Sequence, residues 1–213
     1  MSNVITAREF EDMLTASMTN DLGLRVPPHT IVEHDVNIDG QNINLTKKGT
    51  DGKGYQSIYL DEVAFIGMVT IRNYNRLSLR FQNTHFLDGL WIENSSGLFI
   101  GISGCQCKSI NLWCGGARGH SFEVVSLCQV KSTAIDLSGL NLKKHLTLEH
   151  VEAKGGLGLT HPSTGDTLRT PRVVTDNLVW ALQFRMAGIP VITSTSNIMK
   201  MLAADPQLLG KIN

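Results

Sequence analysis

Three residues with side chains suited to binding follow one another at nearly regular spacing. Trp91, Trp113 and Asp136 are separated by steps of 22 and 23 residues, and Gly158 continues the line. Each stands between two apolar residues, so in a strand it points to the face opposite its neighbours. Outward Trp side chains on adjacent coils would form a platform for a sugar ring or for a partner protein. The alternative is that the C-terminal segment covers them.

A second outward line contains the fourth candidate binding residue, Arg80. The same reasoning places Gly101, Glu123 and Thr147 after it, one coil apart. Arg80 and Glu123 would then be two coils apart, too far for close contact at a strand spacing of about 4.8 Å. The expected binding residues are therefore Trp91, Trp113, Asp136 and Arg80.

The sequence shows no arrangement that is typical of catalysis. Hydrolysis of a polysaccharide needs two carboxylates across a groove, one as acid and one as base or nucleophile. Six acidic residues are available, but the repeat forces no two of them into such a pair: Asp88, Glu93, Glu123, Asp136, Glu149 and Glu152. Asp61 and Glu62 are a weak candidate for the metal-binding carboxylates of a lyase. No catalytic residue is predicted, and a non-enzymatic protein is favoured.

The four cysteines are predicted to be buried, reduced thiols. Cys105, Cys107, Cys114 and Cys128 all fall at apolar positions of the repeat, where a free cysteine behaves as a small hydrophobe. The spacing of Cys105 and Cys107 does not fit the usual zinc motifs, and no His lies at a paired distance. The sequence thus predicts no metal site and no cofactor.

Paired apolar residues that recur about every 22 residues predict the fold. Each pair flanks one polar residue, so both apolar side chains face inward from a short strand. Such coils bury their apolar faces only by stacking, which is the property of a solenoid. The predicted inward stacks are Leu90, Leu112, Ile135 and Leu157, and beside them Ile92, Cys114, Leu137 and Leu159. Three strand phases of this kind predict an all-β, three-sided parallel β-helix.

Composition excludes some classes of partner. The chain has 213 residues, of which 42% are hydrophobic, enough for a substantial core. Its 19 basic and 19 acidic residues balance, so no net charge favours nucleic acid or an anionic membrane. The sequence contains no apolar run long enough to span a membrane and no signal-peptide core, which predicts a cytoplasmic location as synthesised.

The chain divides into three predicted parts. Residues 1–23 form an N-terminal capping helix, in which Thr6 and Glu9 make a capping box and Phe10, Met13, Leu14 and Met18 share a face. Residues 24–162 form the β-helix, interrupted by a solvated loop over residues 47–54. Residues 163–213 are helical, with helices over residues 176–187 and 197–204. These helices are expected to close the column or to dock on a partner or sister subunit.

The N-terminal part resembles that of a known superfamily. A short helix followed by Leu24-Arg25-Val26-Pro27-Pro28-His29-Thr30-Ile31-Val32 and Val36-Asn37-Ile38 is similar to the start of pectate-lyase-like right-handed β-helices, including phage tailspikes. The resemblance covers residues 6–160 and implies right-handed coils. No lyase or hydrolase motif of the superfamily follows, so the resemblance implies an architecture and no activity.

These observations favour a structural or protein-interaction β-helix, most plausibly a component of a phage virion. Its expected partners are another protein or sister subunits, with a glycan as a further candidate. One alternative is a β-helix enzyme that degrades a polysaccharide, and another is a small cytoplasmic inhibitor of a host protein.

Overall fold

The chain forms a parallel β-solenoid with one helix at each end of the described column. The computed structural model describes residues 3–19, 26–41, 56–114, 120–160 and 162–193. The predicted loop over residues 47–54 and the predicted helix over residues 197–204 lie outside these ranges. In chain order the elements are β1 (Asn3–Thr6), α1 (Ala7–Thr19), β2 (Thr30–Glu33), β3 (Val36–Asp39), β4 (Gln56–Asp61), β5 (Val63–Phe65), β6 (Met68–Arg72), β7 (Leu77–Gln82), β8 (His85–Phe86), β9 (Gly89–Glu93), β10 (Gly97–Ser103), β11 (Gln106–Trp113), β12 (Phe122–Cys128), β13 (Lys131–Asp136), β14 (Leu142–Glu149), β15 (Glu152–Ala153), β16 (Leu157–Gly158), β17 (Val173–Thr175), α2 (Leu178–Met186) and β18 (Val191–Thr193).

The strands form three walls, all paired in parallel. Wall 1 is a seven-stranded sheet in the order β18-β17-β14-β12-β10-β7-β4. Wall 2 contains β1, β2, β5, β8 and β15, and wall 3 contains β3, β6, β9 and β16. The long strands β11 and β13 run through both wall 2 and wall 3, so these two walls join into one sheet of 11 strands. The all-β, three-phase solenoid predicted from the sequence is confirmed.

The apolar triplets face inward as predicted, but two coils have a different register. Ile110, and not Leu112, pairs with Leu90, whereas Leu112 pairs with Ile92. The step along this stack is 20 residues from 90 to 110 and 25 residues from 110 to 135. In wall 1, Val125 and Leu127 occupy the positions predicted for Phe122 and Val124. The coil that contains residues 115–119 is therefore longer than the others, and a constant period cannot place its strands.

Helix α1 closes the N-terminal end of the column. The predicted capping box is present: the Glu9 backbone N–H donates to Thr6 Oγ1 at 3.2 Å, and the Thr6 backbone N–H donates to Glu9 Oε2 at 2.7 Å. Phe10 and Leu14 are each 1% exposed, and the Phe10 ring meets the Phe65 ring edge-on with centroids 5.2 Å apart. Phe10 thereby covers the first rings of the interior stack, as the sequence predicts.

The same helix also satisfies an exposed strand edge. β1 pairs with β2 and so covers the edge of wall 2. On wall 3, the backbone N–H of Asn37 in β3 donates to Glu11 Oε1 at 2.8 Å. An unpaired strand edge is a template for association with other strands. A carboxylate on one of its N–H groups removes a donor from that template.

Helix α2 packs on β17 and β18 at the opposite end. It spans Leu178–Met186, inside the predicted 176–187, and Asn177 caps it by accepting from the backbone N–H groups of Val179 and Trp180. Its buried residues are Leu178, Trp180, Ala181 and Phe184. The predicted apolar face was wrong in part, because Val179 is 63% and Met186 88% exposed. Tertiary contacts with the last strands, and not the apolar count, decide which face is inside.

One short turn between wall 1 and wall 2 has the same backbone conformation in successive coils. Its residue lies in the left-handed region, with φ between 47° and 68°, at His29, Glu62, Asn83, Gly104, Gln129 and His150. Backbone hydrogen bonds link this turn from coil to coil, as from the His29 N–H to the Glu62 carbonyl at 2.8 Å. Because stacked turns hold one another, residues other than glycine adopt a conformation that is otherwise unfavourable.

Candidate functional site

The structure does not bring the four predicted binding residues together. Trp91, Trp113 and Asp136 lie on wall 3, at the outward face of β9, β11 and β13. Arg80 lies on wall 1, in β7. The predicted residues thus belong to two separate surfaces.

Trp91 is the exposed member of the surface on wall 3. Its neighbours in the outward line are Thr70 on β6 and Asn111 on β11, and Asn111 pairs in turn with Asp136. The Trp91 side chain is 44% exposed. The predicted contact between Trp91 and Trp113 on one line is wrong, because the register places Trp113 beside Glu93, two residues further along.

Trp113 is half-buried and has a packing role. A methyl group placed on Gly139 would collide with the Trp113 ring, and would come within 3.4 Å of Asp166 Cβ. The ring therefore lies over the turn after β13, next to the segment that follows the last regular coil. Trp113 Nε1 is buried and has no hydrogen-bond partner among the described residues. The two tryptophans form no shared platform, and Trp113 is covered in the way that the sequence left open.

Asp136 holds a turn. Its Oδ1 accepts from the Ser138 backbone N–H at 2.8 Å, and the side chain is half-buried. It pairs with Gly158 as predicted. A methyl group at Gly158 would come within 2.9 Å of Asp136 Oδ1, so the missing side chain at Gly158 leaves room for this carboxylate.

Arg80 lies in the surface with the most developed geometry, a shallow depression on wall 1. The outward line through it runs Tyr59, Arg80, Gly101, Ser126 and Thr147. The predicted neighbours Gly101 and Thr147 are confirmed, whereas Ser126 occupies the position predicted for Glu123. The depression has a volume of about 360 Å³. We call it the Arg80 depression, lined by Tyr59, Arg80, Gln82, Phe99, Gly101 and Ser126 with the neighbouring parts of β7, β10 and β12.

An aromatic ring shapes the floor of the Arg80 depression. The Phe99 ring folds over Gly101, where any side chain on Gly101 would collide with it. The Arg80 guanidinium lies 5.3 Å from the centroid of that ring. A cation over an aromatic face is attracted by the ring quadrupole, so Phe99 fixes the direction of the Arg80 side chain.

Tyr59 forms the N-terminal rim of the Arg80 depression and is 47% exposed. Its hydroxyl donates to Gln82 Oε1 at 3.2 Å and lies 3.5 Å from Asp61 Oδ2. The other Asp61 oxygen accepts from Asn83 Nδ2 at 3.2 Å. These contacts hold the Tyr59 ring upright at the edge of the depression while its face remains open to solvent.

The sequence analysis missed Tyr59 and Phe99. The signal for Tyr59 was present, since it stands between Ile58 and Leu60 in one of the recurring apolar pairs and so must point outward. Phe99 lies within the apolar run Leu98-Phe99-Ile100, in which the side that a residue faces cannot be assigned by alternation.

The candidate catalytic carboxylates are engaged one by one in structural contacts. Asp88 pairs with Lys108 at 2.7 Å, Glu123 with Lys144 at 2.6 Å and Glu152 with Lys131 at 3.6 Å. Across the described residues, no group of three or more His, Cys, Asp or Glu side chains is placed to hold a metal ion.

Three of the four thiols are buried as predicted, and the fourth is not. Burial raises the pKa of Cys105 and Cys107 to about 12 and that of Cys114 to about 11. Cys128 is half-exposed, so its predicted burial was wrong. It follows Leu127 at the end of β12, where its partners Ser103 and Glu149 also face outward. Desolvation, and then the charges of Glu149 and Asp176, raise its pKa.

A second groove, of about 410 Å³, lies on wall 2. Lys108, Lys131 and Lys154 line it together with the exposed Leu87. The ion pairs of Lys108 with Asp88 and of Lys131 with Glu152 offset much of its positive charge.

In the part of the chain that the structure describes, no helix is long and apolar enough to cross a membrane. No protein-family model, curated protein or solved structure matches this chain.

Proposed function

We propose that this protein is a non-catalytic β-solenoid that binds a protein partner or sister subunits through its outer walls, as a component of a phage particle. The observation that carries the proposal is the Arg80 depression. It presents an exposed tyrosine, an arginine and a phenylalanine on one rigid sheet face. Tyrosine and arginine are enriched among the residues that dominate protein interfaces.

The rigid backbone of the solenoid supports a binding role. Every strand of wall 1 is hydrogen-bonded to its neighbours in the sheet, so side chains on the outward face are held at fixed separations. Preorganised side chains lose little conformational entropy when a partner binds. Assignment to a phage particle rests on the tailspike-like N-terminal sequence and is the finer part of the proposal.

The enzyme alternative lacks comparable support. Among the described residues, the carboxylates that were candidates for hydrolysis are paired with lysines or hold turns. An acid and base pair for a polysaccharide would leave one carboxyl protonated in an apolar site and the other ionised across a groove. A small inhibitor of a host protein would also use an outer wall, and it differs from a virion component only in its partner.

Native mass measurement combined with a polysaccharide screen tests the proposal. We expect the chain to form a defined oligomer at micromolar concentration and to release no reducing ends from a panel of bacterial polysaccharides. Tyr59→Ala and Trp91→Ala assign the contact to wall 1 or wall 3, because each removes one exposed aromatic side chain from one wall. A contact anchored by either ring should weaken by about 2 kcal/mol or more.

Leu87→Ala is the matched control, because Leu87 is 55% exposed and lies on neither surface. Release of saccharide products would overturn the proposal in favour of the polysaccharide-degrading enzyme. A monomer that binds one host protein stoichiometrically would overturn the virion assignment in favour of the inhibitor.

A further inference from the structure

The charge of the Arg80 depression is not balanced from within. Arg80 is the only charged residue among the described residues that line it. The ion pairs found among the described residues do not include Arg80, whose guanidinium contacts the Phe99 ring instead. The carboxylate nearest along the rim, Asp61, is already engaged by Asn83 and Tyr59. The depression therefore carries one positive charge that a ligand can complement.

The shape and chemistry of the lining restrict that ligand. A guanidinium presents parallel N–H donors in a plane, which match the two oxygens of a carboxylate. Ser103 and Ser126 add hydroxyl groups beside Gly101, and these can donate to the same anion. One arginine balances one carboxylate, whereas a phosphate dianion would retain an unbalanced charge in the depression.

The aromatic residues indicate what accompanies the carboxylate. The Tyr59 ring and the Phe99 ring flank Arg80 from adjacent coils, and both present apolar surface to the depression. A flat or apolar group next to the carboxylate would cover these rings and exclude water from the ion pair. Excluding water strengthens an ion pair because the local dielectric constant falls.

We propose that the Arg80 depression binds the carboxylate of an acidic protein segment, through Arg80, with a neighbouring aromatic or apolar residue of that segment against Tyr59 and Phe99. This inference rests on the proposed function and names the chemistry of its partner. The depression is shallow and open, so it accommodates one or two side chains of a protein surface.

Binding of a capped dipeptide to the full, isotopically labelled chain tests the inference by NMR. The probe is N-acetyl-phenylalanyl-glutamate amide, and its neutral twin carries glutamine. We expect the glutamate probe to shift the signals of the Arg80 side chain and of the Gly101 and Ser126 amides in a saturable manner. The glutamine probe should bind about tenfold more weakly, the difference expected when a charged hydrogen-bond partner becomes neutral.

Variants of two cations on the same sheet provide the comparison. Arg80→Gln should abolish the shifts, and Arg80→Lys should retain only part of the affinity because the planar pair of donors is lost. Lys143→Gln removes the same charge from β14, outside the depression, and should leave binding unchanged. Arg80 is exposed, so both substitutions are expected to preserve the fold, which the dispersion of the amide spectrum verifies.

Equal binding of the two probes, binding that survives Arg80→Gln, or shifts confined to the lysine-lined groove on wall 2 would each overturn the inference. Free benzoate separates the sources of a carboxylate: if it binds as tightly as the dipeptide, the depression is a small-molecule site and the protein-segment assignment is wrong. These readouts are independent of assembly. An oligomer without probe binding would refute this inference alone, whereas product release from a polysaccharide would refute the proposed function.

Discussion

At the scale of single residues, two glycines of the same strand have different reasons to be glycine. In β10, a methyl group on Gly97 would collide with the backbone of Leu77, including its carbonyl oxygen. On Gly101 it would meet only the Phe99 ring. A backbone held by hydrogen bonds on both sides cannot retreat, whereas a partly exposed ring can rotate away.

Gly97→Ala should therefore lower the free energy of unfolding by about 2 kcal/mol, within the range found for overpacking. Gly101→Ala should change it by less than about 1 kcal/mol, since alanine also reduces the entropy of the unfolded chain. Chemical denaturation of the two variants measures both values. Equal destabilisation would show that the Phe99 ring is as firmly held as the Leu77 backbone.

The cysteines give a second prediction at this scale. Cys128 is half-exposed, whereas Cys105, Cys107 and Cys114 are buried. A thiol-specific reagent should label one cysteine in the native protein and all four after denaturation, because access and thiolate fraction both control the rate. Glu149→Gln should speed the native reaction near pH 8, because removal of a neighbouring negative charge lowers the pKa of Cys128. Mass spectrometry of the labelled peptides locates the site, and native labelling of Cys105 would contradict the assigned orientation of its strand.

At the scale of elements, the turn after β3 is held by a carboxylate with a lowered pKa. Asp39 Oδ1 accepts from Asn73 Nδ2 at 3.0 Å and from the Gln41 backbone N–H at 3.0 Å, and Oδ2 accepts from Arg72 Nε at 3.0 Å. The Asn73 hydrogen bond is the largest cause of the lowered pKa, followed by the Gln41 hydrogen bond, and the Arg72 charge adds to them against desolvation.

This turn should contribute to the pH dependence of stability. A carboxyl whose folded pKa lies below its unfolded value stabilises the protein fully above that unfolded value, and the contribution is lost as the pH falls through the folded pKa. The ordinary value is 3.8, so the loss belongs to the acid range below about pH 4. Asp39→Asn should flatten the stability profile there, measured by denaturation at several pH values. Asp12→Asn, which removes an exposed carboxylate of α1, is the control, and an identical effect of both variants would contradict the role of the turn.

How far the elements could be predicted depends on how many interpretations a local pattern allows. The capping box at Thr6 and Glu9 has one interpretation, because the spacing brings each side chain to the other's backbone, and α1 was located within one residue. The run Ile110, Leu112 and Cys114 has two interpretations, since all three face inward and either of the first two fits beside Leu90. Only stacking against the neighbouring coils selects the register.

The candidate site was predicted in fragments for the same reason. Arg80 and Gly101 were correctly placed on one line, because the two coils that carry them are of equal length. Glu123 was misplaced because the longer coil lies between it and Arg80. The side chains that shape the depression, Tyr59 and Phe99, come from different coils, and their proximity depends on a register that a single chain period does not determine.

At the scale of the whole molecule, stability resides in one continuous interior column. The stacked rings of Phe65 and Phe86 lie 5.4 Å apart and nearly parallel, and the aliphatic stacks continue beside them. Each coil buries its apolar side chains only against its neighbours, so a fault in one coil exposes the faces of two others. A central inward position should therefore be less tolerant of charge than an outward position of the same strand.

Leu112→Asp and Gln106→Asp test this difference within β11. Leu112 is 1% exposed and pairs with Ile92, so an aspartate there is an unpaired buried charge and should cost several kcal/mol. A domain is usually stable by only about 5–15 kcal/mol, so this variant should lose its cooperative melt or melt far below the parent. Gln106 is exposed and pairs with Lys131, so Gln106→Asp should melt within a few degrees of the parent. Calorimetry and far-ultraviolet circular dichroism of both variants measure the effect. A cooperative transition of Leu112→Asp near the parent temperature would mean that β11 does not face a closed interior, and the column would have to be redrawn around a different register.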